Sequence, residues 1–501
     1  MGIDSIIIIG AGVAGLSAGC YARMNGYDTT IFEMHDKPGG VCTSWTREGY
    51  TFDGCIHWLV GSRPDSEYNR IWRELGALQG RTIVDHEEFC RVEGEGGKAL
   101  VIYTDADRLG AHLKQLSPRD SALFDRMVCD IKALTAMPAA PENPPELRRP
   151  LDGLKMLPGM LPLAGPFMRW RGKSIQEFGA GLSDEFLRDA FPRVFEVPDF
   201  PMLAALMTFA WMHARDAGYP VGGSLEFSRA IERRYLDLGR AVSYKSRVEK
   251  ILAEGGRAVG VMLADGSEHR ADVVVSAADG HSTIFDMLDG RFTDPEIRGY
   301  YATFPLFPAI MQVSLGVDAD FSDEPHMVNF PLKKPFLAAG KAYDRIAIQH
   351  YCYDPTMAPE GKSALVVYLE SDFDYWKALR KDRKRYKAEK EEVAAAVIAA
   401  IASRHRGFAG KVEVVDVATP ATYERYTGNW RGSFEGFLIT TRTSKYMLKG
   451  MKRELPGLER FYMIGQWLSP GGGLPPAAQH GREIIQLICT RDGRTFTTSE
   501  A

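Results

Sequence analysis

At 501 residues the chain exceeds the length that one hydrophobic core usually supports, so we expect at least two lobes. A composition of 45% hydrophobic and 25% charged residues, with a net charge of -4, is typical of a soluble enzyme and gives no general attraction to nucleic acid. Seven scattered cysteines, with no C-x-x-C pair and no Cys/His cluster at metal-ligand spacing, predict reduced thiols and no metal site. No stretch of 18 apolar residues occurs, and a strand begins almost at once, so we predict a cytoplasmic protein without a transmembrane helix or signal peptide.

The N-terminus carries a glycine fingerprint. An isoleucine run, Ile6 to Ile9, stops at Gly10, and further glycines stand at Gly12 and Gly15. This G-x-G-x-x-G spacing between a buried strand and a helix is typical of a dinucleotide-binding turn, with the pyrophosphate at the helix N-terminus. Glu33 ends the next predicted strand and is placed to accept hydrogen bonds from ribose hydroxyls. An acid there favours NAD or FAD over NADP.

The elements up to residue 289 continue this α/β pattern. Gly39 and Gly40 follow soon after the acid and predict a second close approach of main chain to cofactor. Helical and proline-rich patterns dominate about 65–215, and a helix is predicted from Ser224 to Gly239. Strands around 247–251 and 259–263 predict a β-meander, which leads into a buried strand at 271–278.

The C-terminal part contains a third glycine-rich turn. A mixed region runs from about 290 to 440, with a helix predicted from Lys381 to Arg406, and a strand across 461–467 ends at glycine. Three glycines, Gly471 to Gly473, then precede two prolines that start a helix. One glycine would serve a left-handed turn, so three in a row predict something flat or bulky pressed against the main chain.

Longer phrases extend the pattern over nearly the whole chain. With the glycine turns they resemble an FAD-dependent group that contains phytoene desaturases, carotenoid isomerases, retinol saturases and, more distantly, amine oxidases. The phrases that favour the phytoene-desaturase-like branch are Gly49–Gly54, Tyr219–Gly223, Asp272–Asp279, Asp354–Pro359, Thr419–Thr422 and Thr427–Ser433.

This resemblance implies a Rossmann-type FAD-binding domain formed by 1–64, 217–289 and 441–501. A mixed α+β substrate domain, 65–216 with 290–440, is inserted into it. The residues implied to hold the pyrophosphate are Gly10, Gly12, Val13, Ala14 and Gly15. Glu33 would hold the adenosine ribose, and Val248 would offer its backbone to the adenine.

The same resemblance assigns the remaining cofactor contacts. Gly39 and Gly40 would pass near the ribityl–pyrophosphate region, which Gly465 and Gln466 would also approach. The residues implied to lie under the isoalloxazine are Gly472, Gly473 and Leu474. Two positions depart from the family pattern: Val41 replaces the usual basic residue, and Gln466 replaces a frequent acid.

Catalysis would rest mainly on the flavin, because desaturation, saturation and flavin-assisted isomerisation of an apolar polyene need little acid–base machinery. His57 is the candidate proton shuttle, with a neutral core imidazole as the alternative. Trp58 and Trp467 are candidates to stack near the ring, line a tunnel, or serve as core aromatics. Cys42 offers a covalent tether, but we expect noncovalent FAD.

Residues 151–171 form an apolar, proline-broken segment with basic residues at its flanks, including Arg148, Arg169 and Arg171. Such a segment suits either shallow, peripheral insertion among anionic lipids or a lid over the substrate.

Three functions stay open at this point. The first is an FAD-dependent oxidoreductase acting on C–C bonds of an apolar polyene, isoprenoid or related lipid. The second is an amine-oxidase-like flavoenzyme with a polar, aromatic pocket. The third is a non-enzymatic prenyl-binding carrier of the GDP-dissociation-inhibitor type, which would not need the intact pyrophosphate turn.

Overall fold

A computed structural model of the chain describes residues 2–137, 142–148, 161–446 and 450–501. The strands are β1 Ser5–Ile9, β2 Asp28–Phe32, β3 Ser44–Arg47, β4 Tyr50–Asp53, β5 Leu59–Val60, β6 Ile83–Val84, β7 Glu88–Glu93, β8 Ala99–Tyr103, β9 Ala217–Pro220, β10 Val242–Ser243, β11 Val248–Glu254, β12 Arg257–Leu263, β13 Glu268–Arg270, β14 Val273–Ser276, β15 Ile310–Val317, β16 Met327–Ala338, β17 Lys341–His350, β18 Ser363–Glu370, β19 Val412–Ala418 and β20 Phe461–Met463.

The helices are α1 Val13–Met24, α2 Glu67–Glu74, α3 Ala106–Leu116, α4 Ser121–Leu134, α5 Ala164–Trp170, α6 Ile175–Ala180, α7 Glu185–Ala190, α8 Met202–His213, α9 Gly223–Asp237, α10 Pro295–Thr303, α11 Phe373–Leu379, α12 Arg383–Ala402, α13 Pro420–Thr427 and α14 Leu474–Asp492. Within the ranges that the structure describes, none of the helices has the length and apolar character needed to cross a membrane.

A five-stranded parallel sheet carries the N-terminal fingerprint. Its order is β10-β2-β1-β14-β20, and Ile8 of β1 pairs with Ile31 on one side and Val275 on the other. Ile6 and Ile8 face the core beneath α1 and α14, whereas Ile7 and Ile9 face the core beneath the β11–β13 meander. Because both faces are covered, the strand is apolar throughout instead of alternating.

A seven-stranded sheet in the order β19-β15-β18-β17-β16-β7-β8 forms the base of the second lobe. One face packs on α12 through residues such as Val313 and Val397. The opposite face carries Gln312, Gln349 and Tyr368, and the Gln312 amide donates to the Asp53 carbonyl at the end of β4.

The α/β class with a dinucleotide-type parallel sheet and a mixed second lobe is confirmed. The strands of the parallel sheet all lie inside the ranges expected for the FAD-binding domain, and the domain limits themselves stay a prediction. The last strand is shorter than expected: it ends at Met463, because Gly465 has a φ of +98° and residues 466–468 form a 3₁₀ turn.

Candidate functional site

A cavity of about 1480 Å³ runs from the carboxyl ends of the parallel strands toward the seven-stranded sheet. Sites for one small molecule usually measure ~300–1,000 Å³, so this space suits a large cofactor together with a substrate. The carboxyl edge of a parallel sheet is also where such folds bind dinucleotides. The cavity has a glycine-rich end and an apolar end.

The fingerprint turn forms the wall at the glycine-rich end. Gly10 has a φ of +96°, and its N–H donates to the Phe32 carbonyl at 2.8 Å. Gly12 is the N-cap of α1 and has no side chain to cap it, so the N–H groups of the first turn, at Val13 and Ala14, remain available. Since these residues line the cavity, the turn offers an anion the positive end of a helix dipole.

Gly15 has a different position from the rest of the fingerprint. A Cβ there would lie 1.9 Å from the Gly10 carbonyl oxygen. Gly15 is not among the residues that line the cavity. Its position fits close packing of α1 on the strand–turn junction, whereas the implied pyrophosphate contact stays a prediction.

The second glycine turn lies beside the first. The Gly39 N–H donates to the Ala11 carbonyl at 2.9 Å, and Gly12 forms a parallel bridge with Gly39. A Cβ on Gly40 would come within 3.7 Å of the Gly12 Cα. The two turns are therefore adjacent walls of one space, and the approach of Gly39 and Gly40 to the cofactor stays a prediction.

Glu33 closes the edge of the sheet beside them. Its carboxylate is buried and accepts hydrogen bonds from the backbone N–H groups of Ala11 and His35, each at 2.8 Å. Each carboxylate oxygen keeps lone-pair capacity for a ribose hydroxyl. The Glu33 carbonyl also accepts from the Ser246 N–H at 2.8 Å, which brings the cavity-lining Val248 to the same end.

The C-terminal turn forms the floor between the two ends of the cavity. The φ angles of Gly471, Gly472 and Gly473 are +97°, +53° and +96°, a conformation that residues with a Cβ rarely adopt. This explains why one glycine would not suffice. Gly473 is the uncapped N-cap of α14, whose first turn contains Pro475 and Pro476. Gly465, Gln466 and Leu474 also line the cavity.

His57 lies where the two ends meet. Its Nδ1 is 3.3 Å from the Gln349 Nε2, and the Gln349 Oε1 accepts from the Tyr351 hydroxyl. The amide therefore donates to Nδ1, which places the ring proton on Nε2. Burial lowers the pKa of His57 from 6.5 to about 4, so the imidazole is neutral at pH 7. The proposed role as a proton shuttle stays a prediction.

The other sequence candidates occupy nearby walls. Trp58, Trp467, Val41 and Cys42 all line the cavity. Trp58 packs edge-on against Phe89, with ring centroids 5.1 Å apart. The Cys42 thiol is buried and donates to the Ser224 carbonyl at 3.5 Å, so it is already engaged within the protein.

Glu435 is a cavity residue that the sequence reasoning missed. It lies just beyond the Thr427–Ser433 phrase, and a Cβ on Gly472 would be 2.5 Å from its Cγ. Burial raises the pKa of the Glu435 carboxyl from 4.5 to about 8. The only signal available in the sequence was an acid adjoining a phrase typical of the family.

The far end of the cavity is apolar. Side chains from α5, α8 and neighbouring loops supply most of its wall: Phe89, Phe167, Met168, Phe195, Phe200, Leu203, Met207, Trp211, Phe307, Ile310, Met327 and Phe434. These residues come from distant parts of the chain, and no local motif links them.

The predicted lid or membrane segment is only partly visible. Residues 151–160 lie outside the described residues, and 161–171 include α5. Leu161 and Met168 are 72% and 77% exposed, and Met168 borders the cavity, so α5 lies at its mouth. Arg169 does not face lipid freely, because it forms an ion pair with Asp130.

This geometry fits FAD. Two uncapped helix N-termini, adjacent glycine turns and the buried acid Glu33 enclose one extended space. The family model described as flavin containing amine oxidoreductase matches residues 13–484, and the chain belongs to that family. The chain is thus an FAD-dependent oxidoreductase, as the sequence predicted.

Two relatives cover nearly the whole chain. Prolycopene isomerase of Arabidopsis thaliana is 24% identical in an alignment of length 496 that covers 95% of this chain and 81% of that protein. The neurosporene-forming phytoene desaturase of Rhodobacter capsulatus is 26% identical in a gapped alignment of length 515 that covers 97% of this chain and 94% of that protein. Both are enzymes, and the carrier alternative gains no support.

Solved structures share the fold. An oxidoreductase from Methanosarcina mazei superposes with a TM-score of 0.60 at 16% identity, covering 96% of this chain and 100% of that one. Cyclohexylamine oxidase from Brevibacterium oxydans gives a TM-score of 0.60 at 14% identity, covering 99% of this chain and 100% of that one.

Proposed function

We propose that the protein exchanges hydride between noncovalently bound FAD and a C–C bond of an apolar polyene, isoprenoid or related lipid. The direction is desaturation, saturation or isomerisation. The observation that carries the proposal is one continuous cavity whose flavin end opens into a wall of aromatic and aliphatic side chains. Such a wall offers a hydrocarbon chain extensive apolar contact. The two carotenoid-converting relatives support the same substrate class.

When bound, FAD supplies the hydride chemistry. The turn at Gly12 and the acid Glu33 would bind the two ends of its adenosine diphosphate portion, and the Gly472 turn would support the ring. The apolar wall, with Phe195 and Met207, would orient the substrate and exclude water. His57, neutral at pH 7, would act as a shuttle that relays protons along the cavity, one ring nitrogen accepting as the other releases.

The mouth of the cavity supports entry from a lipid surface. Leu161 and Met168 are exposed beside Arg171 and Lys173, which are also exposed. Apolar side chains flanked by cations favour shallow contact with anionic lipid. A peripheral position would bring a water-insoluble substrate directly to the cavity.

Turnover of a polyene panel by a tunnel variant tests this function. Met207→Lys places an ammonium in the apolar wall, where burial of an unpaired charge costs several kcal/mol. We expect FAD content to be retained and polyene conversion to fall at least about tenfold. Leu236→Lys is the matched control, because Leu236 is 47% exposed on α9 and should tolerate the charge. Equal conversion by both variants, or activity on amines alone, would refute the assignment.

A further inference from the structure

Glu435 is fixed beside the turn that is expected to support the flavin ring. The Gly436 N–H donates to the Ser433 hydroxyl at 3.0 Å, and the Phe437 carbonyl accepts from the Gly471 N–H at 2.9 Å. A Cβ on Gly472 would also lie 2.7 Å from the Glu435 carbonyl oxygen. These contacts hold the 433–437 segment directly against the Gly471–Gly473 turn.

Five carboxyl groups line the cavity within the described residues, and four of them have partners. Glu33 accepts from two backbone N–H groups, and Asp279 accepts from the N–H groups of Ser282 and Trp430. Glu196 accepts from the Asn329 amide at 2.7 Å, and Glu370 pairs with Lys341 at 2.8 Å. The Glu435 carboxyl has neither a hydrogen-bond donor nor a cation among the residues that the structure describes.

The charge state follows from this isolation. A buried carboxylate without a donor or a counter-charge is unstable, so the neutral acid is favoured. Burial accordingly raises the pKa of Glu435 to about 8. The Cys55 thiol interacts electrostatically with Glu435, but a hydrogen bond with Cys42 and burial raise the pKa of this thiol well above its usual value, so it adds no charge at neutral pH. The cavity thus contains a protonated acid, Glu435, and a neutral imidazole, His57.

Two titratable groups whose pKa values are displaced in opposite directions are a common arrangement for proton transfer. Hydride exchange at one carbon of a polyene requires a proton to arrive at, or leave from, the neighbouring carbon. A hydrocarbon substrate has no ionisable group to provide it. A protonated side chain in the wall of the cavity can do so.

We propose that Glu435 is the catalytic acid that gives this proton, a role that rests on the proposed function. When a hydride from reduced flavin adds to one carbon of a double bond, a Glu435 carboxyl oxygen gives its proton to the neighbouring carbon. The C=C π bond, the Glu435 O–H bond and the flavin N–H bond that supplies the hydride break, and two C–H bonds form. The double bond is reduced by the two electrons that the flavin loses, and the resulting carboxylate regains a proton from water. In the opposite direction the carboxylate takes the proton while hydride leaves for the oxidised flavin.

The test uses the FAD-loaded protein without substrate. Because Glu435 adjoins the turn at Gly472, its ionisation should shift the visible flavin spectrum, and we expect one transition near pH 8 in the wild type. Glu435→Gln keeps the shape but does not titrate, so the transition should vanish. Glu196→Gln is the matched control, a cavity carboxyl away from the turn that accepts from the Asn329 amide, and should retain the transition.

Turnover provides a second readout. The rate of polyene saturation should fall as pH rises through 8, since the acid form of Glu435 is lost, and Glu435→Gln should be slower by about 10²–10⁴-fold without that pH dependence. Glu435→Asp keeps a carboxyl, so this variant should shift the pH of the transition without removing it. It replaces Glu435→Gln as the test variant if the glutamine variant does not fold. A yellow Glu435→Gln protein that keeps the transition refutes this role alone. A wild-type protein that takes up no FAD refutes the proposed function as well.

Discussion

Replacement of Gly472 by alanine should weaken FAD binding more than it weakens the fold. Gly472 has a φ of +53°, and a non-glycine residue in this left-handed region costs about 1–2 kcal/mol. In addition, the new Cβ would lie 2.5 Å from the Glu435 Cγ and 2.7 Å from its carbonyl oxygen, which is closer than real Cβ contacts. The turn must therefore move, and a displacement that removes about 1.4 kcal/mol of binding energy lowers the affinity tenfold.

Gly361→Ala separates the two effects. Gly361 has a φ of +75°, and a Cβ there meets no atom within 4 Å, so this variant has the left-handed strain without the clash. Calorimetric titration of the apoprotein with FAD should show at least a tenfold rise in Kd for Gly472→Ala and no change for Gly361→Ala. Thermal denaturation should show a lower Tm for both. Wild-type FAD affinity in Gly472→Ala would refute the position assigned to the turn.

Three further predictions concern Glu33, the stability of the fold at low pH, and Met168 at the cavity mouth. Glu33→Gln should raise the Kd for FAD about 5- to 150-fold, since a neutral amide replaces the carboxylate in its expected hydrogen bonds with the ribose, a loss of about 1–3 kcal/mol. An unchanged Kd by fluorescence titration would contradict this. Burial lowers the pKa of His350 from 6.5 to about 4, so this side chain stays neutral in the folded protein. Its contribution to the free energy of unfolding is therefore complete above pH 6.5 and is lost as the pH falls to 4. Acidification should thereby remove about 3 kcal/mol from the free energy of unfolding. His350→Asn retains a donor for the Pro325 carbonyl, and urea unfolding of this variant should show a correspondingly smaller decrease in stability at low pH than the wild type. Met168→Ser should reduce sedimentation with anionic vesicles, and a wild type that does not sediment would exclude the lipid contact.

The parts of the site that could be predicted are those that a short stretch of chain determines. The run Ile6–Ile9 followed by Gly10 and Gly12 specifies a buried strand, a tight turn and an uncapped helix through local geometry alone. The Gly471–Gly473 turn could be predicted for the same reason, because three successive positive φ angles favour glycine. Chain-wide phrases then connected the two turns to one cofactor.

The parts that could not be predicted depend on distant packing. Glu435 becomes an isolated acid only because the Gly471 turn folds back onto it, and nothing within its own segment signals burial. The sequence places Arg169 beside an apolar segment and so suggests a lipid-facing cation, but Asp130 on α4 forms an ion pair with it. The apolar wall, which extends from Phe89 to Phe434, has no local pattern and emerges only when the two lobes enclose the cavity.

Anaerobic visible spectroscopy of the photoreduced, FAD-loaded protein with polyenes and amines distinguishes a polyene oxidoreductase from an amine oxidase. We expect polyenes to be saturated as the flavin reoxidises, or to be isomerised without net flavin oxidation, as product analysis would show. If the reaction runs as a desaturation, the oxidised protein should instead be bleached by the polyene. The proposed function would be contradicted if only amines reduced the flavin and every apolar polyene left both its oxidised and its reduced form unchanged.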